Sequence, residues 1–154
     1  MTALLLKSPA ETRSLGRRLG AALQEGDFIA LTGDLGAGKT LLVKAVAEGA
    51  GAEEATSPTF ALVNLYRGGR VALQHLDLYR LAGSAELFAL GFDDLLAEPA
   101  ATLCEWADRA RGALPADRLE IALLHAGPRS RSATLTATGP RGAALLAAAT
   151  ARSA

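Results

Sequence analysis

Residues 28–40 of the chain read FIALTGDLGAGKT, and this stretch decides the fold. Its first part, Phe28–Thr32, is apolar enough to form a buried strand. Its second part, Gly33–Thr40, matches the pattern G-x-x-x-x-G-K-[ST] at every fixed position. The residues from Lys39 to Glu48 are predicted to form a helix that ends near Gly49. A strand, a glycine-rich loop and a helix in this order indicate a loop that binds nucleotide phosphates.

Each residue type in this loop has a chemical reason to be there. Glycines let the backbone curl so that successive N–H groups face phosphate oxygens, with no side chain in the way. Lys39 would reach the β- and γ-phosphates as a point charge, and Thr40 would offer its hydroxyl to Mg²⁺. A dinucleotide-binding loop fits poorly, because Leu35 stands where that pattern requires its second glycine. The residues predicted to bind the nucleotide are Gly33, Asp34, Leu35, Gly36, Ala37, Gly38, Lys39 and Thr40.

A phosphate loop of this kind needs an acid at the end of a neighbouring strand, to hold the Mg²⁺ shell and place an attacking water. Asp77 closes the run VALQHLD and Glu105 closes ATLCE. Ligands of open α/β sheets bind at the carboxyl ends of the strands, so both residues fit. The spacing alone does not divide the two roles between them. His75 and His125 are interpreted as packed or surface residues, although His75 shares a strand face with Asp77.

The rest of the chain predicts a mixed α/β fold. Ser8–Glu11 has the form of a capping box at the start of a helix. Phe60–Tyr66 and Val71–Leu76 are predicted to form an antiparallel hairpin, and Thr56–Thr59 before them a loop. The other predicted elements are a helical stretch around Ser84–Leu96, strands at Ala101–Cys104, Leu119–Leu124 and Ala133–Ala137, and a final helix. Because no repeat or linker interrupts the 154 residues, we expect a single P-loop NTPase-like domain over 1–154, its mixed sheet flanked by helices.

Composition narrows the classes of function. Lys and Arg together number 16, as do Asp and Glu, so the net charge is zero. A protein that binds nucleic acid without a partner usually has more basic than acidic residues. Any nucleic acid is therefore expected to be held by a partner of this chain. The single cysteine, Cys104, excludes an internal disulfide framework and is interpreted as a small buried hydrophobe on a strand. Neither a signal peptide nor an apolar stretch of about 18 residues is present, so we expect a soluble, cytoplasmic protein.

Four motifs in order resemble the bacterial TsaE family, the ATPase component of the machinery that makes threonylcarbamoyladenosine in tRNA. They are GDLGAGKT at Gly33–Thr40, SPTF at Ser57–Phe60, HLDLYRL at His75–Leu81 and EW at Glu105–Trp106. The similarity extends from about Glu11 to Trp106 and is weak after that.

The resemblance implies a role for each site residue. Lys39, Glu105 and Thr59 would be catalytic, with Thr59 in a switch-like loop that faces the γ-phosphate. Glu105 would be the Walker B-like acid, acting on the metal or on the attacking water. Trp106 would lie close to the nucleotide. The implied Mg²⁺ ligands are Thr40, Asp77 and Glu105.

The resemblance also implies two partner proteins. TsaD would transfer the threonylcarbamoyl group to the tRNA adenosine beside the anticodon, together with TsaB. The chain would hydrolyse ATP to support repeated turnover, with low activity when alone. It would meet tRNA only indirectly, through the complex.

Three other functions remain open from the residues. A small-molecule kinase usually carries a lid with arginines, and Arg129 and Arg131 are the only lid-like pair. A GTPase would need the guanine motif N-K-x-D, which the chain lacks. A non-catalytic interaction module would bind ATP without turnover even beside its partners.

Overall fold

A computed structural model of the chain describes residues 1–34, 36–54, 63–78 and 91–151, without the side chains of residues 109–111. Its strands are β1 (Thr2–Leu6), β2 (Phe28–Gly33), β3 (Glu53–Glu54), β4 (Val63–Arg67), β5 (Leu73–Asp77), β6 (Ala101–Glu105), β7 (Arg118–His125) and β8 (Arg131–Thr138). Its helices are α1 (Pro9–Ala22), α2 (Lys39–Gly49), α3 (Phe92–Leu96) and α4 (Gly139–Thr150), with a 3₁₀ helix at Ala107–Ala113.

The strands of this described part form one eight-stranded sheet in the order β1-β8-β7-β2-β6-β5-β4-β3. Strands β2, β5, β6 and β7 are mutually parallel. Strand β4 pairs antiparallel with β5, and β8 pairs antiparallel with β7 and β1. The predicted mixed sheet with an antiparallel hairpin is therefore confirmed. Because β2 lies between β6 and β7, the loop after β2 opens at the centre of the sheet.

The predicted start of α1 is confirmed, although its capping box forms only in part. The Ser8 hydroxyl caps α1 by accepting a hydrogen bond from the Glu11 amide at 3.3 Å, and Pro9 opens the helix. The Glu11 carboxylate accepts from the amide of Lys7 instead of that of Ser8. In the hairpin, Val63 pairs with Leu76 and Tyr66 with Leu73. Residues 56–62 and 84–90, which carry a predicted loop and parts of a predicted strand and helix, lie outside the described residues.

Strand β1 was not predicted. Its five residues pair antiparallel with β8, from Thr2 with Leu135 to Leu6 with Arg131. The apolar run Ala3–Leu6 is too short for its pattern to distinguish a strand from part of a helix. It becomes a strand because β8, more than 120 residues later in the chain, offers a free edge.

Two apolar clusters cover the two faces of the sheet. Helices α1, α2 and α4 pack on one face, where Leu19, Leu42 and Leu145 are fully buried. Helix α3 and the 3₁₀ helix cover the other face, where Phe28 and Phe92 meet edge to face with centroids 6.4 Å apart. Because α2 follows β2, its first turn lies near the carboxyl end of β2, at the edge where the other parallel strands also end.

The last helix is fastened to the sheet by a buried ion pair. Arg141 donates to both carboxylate oxygens of Asp27, each at 2.8 Å, and the Asp27 side chain is 1% exposed. The carboxylate of Asp117 accepts from the backbone amides of Arg141 and Gly142 at the start of the same helix. The first contact joins α4 to the turn that leads into β2, and the second joins it to the turn that leads into β7.

Replacing Arg141 with leucine is expected to lower the free energy of unfolding by about 2–4 kcal/mol. Such a change leaves the buried Asp27 carboxylate without its cation, and the loss is smaller than for a fully buried pair because Arg141 is partly exposed. Chemical denaturation would measure the loss. Arg13→Leu, at an exposed position of α1, is the control and should change stability little. Equal stabilities for the two variants would contradict the importance of the ion pair.

Candidate functional site

The glycine-rich loop joins the end of β2 to the start of α2. Gly33 has φ 139°, and a Cβ atom there would collide with the carbonyl oxygen of Leu123 on β7. Gly36 and Gly38 also have positive φ, 78° and 100°, which glycine adopts at little cost. Helix α2 begins at Lys39, directly after Gly38. The loop therefore depends on glycine at Gly33 and Gly38, the two positions that the motif fixes, and also at Gly36, which the motif leaves open.

Lys39 is held inside this loop. Its Nζ donates to the carbonyl oxygens of Gly33 and Asp34, both at 2.9 Å, and the residue is only 6% exposed. The same ammonium lies 4.2 Å from the centre of the Trp106 ring, a cation–π contact. None of these three partners carries a formal charge. They orient the ammonium without neutralising it.

The two acids predicted for the site lie side by side. Asp77, at the end of β5, is the register partner of Glu105 at the end of β6. Glu105 is in turn the partner of Leu31, two residues before Gly33. Since these strands are parallel, both carboxylates end at the edge of the sheet where the loop begins. Glu105 is 5% exposed, whereas Asp77 is partly exposed.

Trp106 turns the chain sharply after Glu105. Its φ of 58° and ψ of 38° are left-handed, and among the described residues it is the only non-glycine with positive φ. This conformation costs a side-chain-bearing residue about 1–2 kcal/mol. Strain of this kind is typical of functional sites, and here it accompanies a tryptophan ring placed over Lys39.

His75 contacts the site more directly than the sequence interpretation allowed. It is buried, as a packed residue would be, but its Nε2 lies 2.6 Å from Oε2 of Glu105. Sequence reasoning missed this contact because Glu105 lies 30 residues away along the chain. The available signal was that His75 shares a strand face with Asp77. The other histidine, His125, is exposed, which agrees with its interpretation as a packed or surface residue.

Arg131 braces the loop from the start of β8. Its Nε donates to the carbonyl oxygen of Ala37 at 3.1 Å, and its Nη1 donates to those of Ser130 and Gly127. The peptide between Ala37 and Gly38 is planar and trans, so its C=O and N–H point in opposite directions. Because the Ala37 carbonyl points toward Arg131, the Gly38 N–H points away from Arg131. Of the two arginines considered as a lid, Arg131 supports the loop and Arg129 is exposed.

Cys104 lies beside the acids without belonging to the site. It is fully buried on the other face of β6, as the sequence interpretation held. Burial, with the nearby charges of Asp77 and Glu105, raises the pKa of its thiol to about 12. The thiol therefore stays protonated near neutral pH and is a poor nucleophile.

The residues described here fit a magnesium ion only together with a phosphate ligand. No group of three or more His, Cys, Asp or Glu side chains in the described part of the chain could hold a metal ion. Mg²⁺ usually takes one or two carboxylates and completes its shell with phosphate oxygens and water. Thr40, exposed in the first turn of α2, and the Asp77–Glu105 pair make up a donor set of that kind.

Two predicted site residues, Leu35 and Thr59, lie outside the described residues, as does the whole SPTF motif at Ser57–Phe60. Their roles stay predictions.

No helix that the structure describes has the length and apolar character needed to cross a membrane.

Comparison with known proteins agrees with the motifs. A family model described as "Threonylcarbamoyl adenosine biosynthesis protein TsaE" matches residues 6–133. The tRNA threonylcarbamoyladenosine biosynthesis protein TsaE of Bacillus subtilis is 38% identical over 135 residues, which are 87% of this chain and 84% of that protein. Its counterpart in Streptomyces coelicolor is 37% identical over 137 residues, 84% of this chain and 92% of that protein.

A solved structure shows the same fold. The crystal structure of Bacillus subtilis YdiB superimposes with a TM-score of 0.80 and 34% sequence identity, covering 96% of this chain and 93% of that one. The predicted P-loop NTPase-like α/β fold is thereby confirmed. The chain belongs to the TsaE family, whose members are named for the biosynthesis of threonylcarbamoyladenosine in tRNA.

Proposed function

We propose that the chain binds Mg-ATP on the loop Gly33–Thr40 and hydrolyses it, in support of threonylcarbamoyl transfer to tRNA by the TsaB and TsaD proteins. One observation carries this proposal. The buried ammonium of Lys39 lies between the loop carbonyls and Trp106, at the sheet edge where Asp77 and Glu105 end side by side. Cation and carboxylates therefore meet where a nucleotide phosphate and its metal would bind.

Phosphate binding is supported by the shape and charge of the loop. A Cβ atom on Gly36 or Gly38 would have no neighbour within 4 Å, so the loop is open at both glycines. Backbone N–H groups of such a loop and the N-terminus of α2 favour anions. Lys39 adds a full positive charge for the β- and γ-phosphates. Trp106, whose ring packs on Lys39, would border the bound nucleotide.

Magnesium would be held by the Thr40 hydroxyl and by Asp77, with Glu105 as a further ligand or as the residue that orients water. An ion bound there would supply positive charge that offsets the negative charge of the phosphate oxygens. The role of orienting water suits Glu105, because its side chain is buried and its carboxylate is already fixed by a hydrogen bond.

The transition state needs more positive charge than these residues supply. Arg131 donates to three backbone carbonyl oxygens, so its guanidinium supports the loop and is not set up as an arginine finger. The missing interaction would therefore come from a partner protein. A TsaB–TsaD complex would supply a charge, or would hold the loop around Thr59 over the γ-phosphate. With zero net charge, the chain alone would bind tRNA weakly.

Steady-state phosphate release, measured with and without a TsaB–TsaD complex, tests this function. We expect slow hydrolysis by the isolated chain and severalfold or faster hydrolysis with the complex. Equal rates in the two conditions would contradict activation by partners. Transfer of the γ-phosphate to a metabolite would favour the kinase instead, and ATP binding without turnover beside the complex would favour the interaction module. Preferential binding of GTP in a competition assay would favour a GTPase.

A further inference from the structure

His75 and Glu105 form a buried pair on neighbouring strands. Nε2 of His75 lies 2.6 Å from Oε2 of Glu105, and the two side chains are 9% and 6% exposed. The register partner of His75 is Leu103, so the contact runs diagonally to the next residue on the same face of β6. A short hydrogen bond between two buried side chains restricts the rotation of both.

The chemistry of the pair assigns the proton. The proposed action of Glu105 on metal or water requires a carboxylate, and a carboxylate only accepts hydrogen bonds, so that action makes Nε2 of His75 the donor. Within the described part of the chain, the other ring nitrogen, Nδ1, is buried and has no hydrogen-bond partner. A bare nitrogen tolerates such a position better than an N–H group, since orphaned buried donors are rare. Both observations agree on Nε2–H as the group that meets Glu105.

The bond determines which carboxylate oxygen is engaged. A glutamate side chain rotates about three bonds, and a carboxylate that turns freely orients water poorly. With Oε2 held by His75, the task of contacting water or metal falls to Oε1. His75 lies two residues before Asp77 on the same face of β5. One strand thus supplies both a metal-binding acid and a residue that fixes the second acid.

We propose that His75 is a positioning residue for ATP hydrolysis, whose Nε2–H holds the Glu105 carboxylate in the orientation that the reaction uses. This inference rests on the hydrolytic function proposed above. His75 does not touch the nucleotide in this scheme and acts through Glu105. Its loss should therefore affect turnover more than nucleotide binding.

The neighbouring residue Gln74 offers a matched control. It is also buried, but its side chain donates to the carbonyl oxygen of Leu95 at 2.8 Å and so ties β5 to α3. Gln74→Leu removes a buried hydrogen bond from the same strand without touching Glu105. A general loosening of β5 would therefore appear in both Gln74 and His75 variants, whereas loss of positioning would appear only in the latter.

The kinetic test compares His75→Leu with His75→Gln, whose amide nitrogen takes nearly the position of Nε2. We expect His75→Leu to lower kcat on the order of tenfold or more while KM changes little, as for other residues that orient a catalytic ligand. His75→Gln should recover most of the loss, and Gln74→Leu should keep wild-type turnover. In a Glu105→Gln background, His75→Leu should cause little further loss, because the carboxylate that it positions is already gone.

A second measurement does not depend on activity. The chain has two histidines, so nitrogen NMR of the wild type and of a His125→Gln variant identifies the ring signals of His75. A protonated Nε2 supports the proposal, and a bare Nε2 overturns it even if His75→Leu fails to fold. Wild-type kcat in folded His75→Leu, or a His75→Gln variant as impaired as His75→Leu, would also overturn it. Absence of hydrolysis in the wild type with its partners would instead refute the proposed function, whatever the NMR result.

Discussion

Replacing Glu105 with glutamine is expected to lower ATP turnover by a factor on the order of a hundred or more. Glutamine has nearly the same size, and its amide oxygen can still accept the hydrogen bond from His75. The change therefore removes the negative charge with little disturbance of the buried strand ends. A residue that orients water or completes a metal shell contributes mainly in the transition state, so Mg-ADP should bind nearly as well as before.

Steady-state phosphate release in the presence of the TsaB–TsaD complex would measure this loss, with calorimetry to follow the affinity for Mg-ADP. Glu120→Gln is the matched control, since Glu120 lies on β7 of the same sheet and pairs with Ala30 instead of the strand ends. That variant should hydrolyse ATP at the wild-type rate. Normal turnover by Glu105→Gln, together with failure of Asp77→Asn, would assign the acid's role to Asp77.

Much of the fold could be predicted because its signals are local. The helix cap at Ser8, the glycines of the phosphate loop and the turn between β4 and β5 each act within a few residues of chain. The placement of Asp77 beside Glu105 needed only one general rule, that parallel strands end at the same edge of the sheet. The acids could therefore be chosen from the sequence, although their division of labour could not.

The contacts that sequence reasoning missed all join residues far apart in the chain. Arg131 supports Ala37 across 94 positions, and His75 reaches Glu105 across 30. Neither residue belongs to a local pattern that marks its partner. Trp106 was expected near the nucleotide, but its left-handed backbone and its contact with Lys39 depend on how the chain leaves β6. Such features follow from the packed fold and not from local propensity.

Replacing Lys39 with alanine is expected to weaken ATP binding roughly a hundredfold, equivalent to about 3 kcal/mol. The ammonium would make charge-assisted hydrogen bonds to two phosphate groups, and alanine supplies none. The loss should be smaller for ADP, because ADP lacks the γ-phosphate that Lys39 would also contact. Calorimetry with both nucleotides in the presence of Mg²⁺ measures the two affinities and their difference.

The controls for this change separate the charge of Lys39 from its place in the fold. Lys44 lies on the same helix, is exposed, and carries the same charge one turn beyond the loop. Lys44→Ala should therefore bind ATP as the wild type does. Lys39→Met keeps the apolar stem that packs beside Trp106 but removes the ammonium, so it should lose nearly as much affinity as Lys39→Ala. If Lys39→Met bound ATP normally, the ammonium would serve the loop carbonyls alone, and the phosphates would have to be held elsewhere.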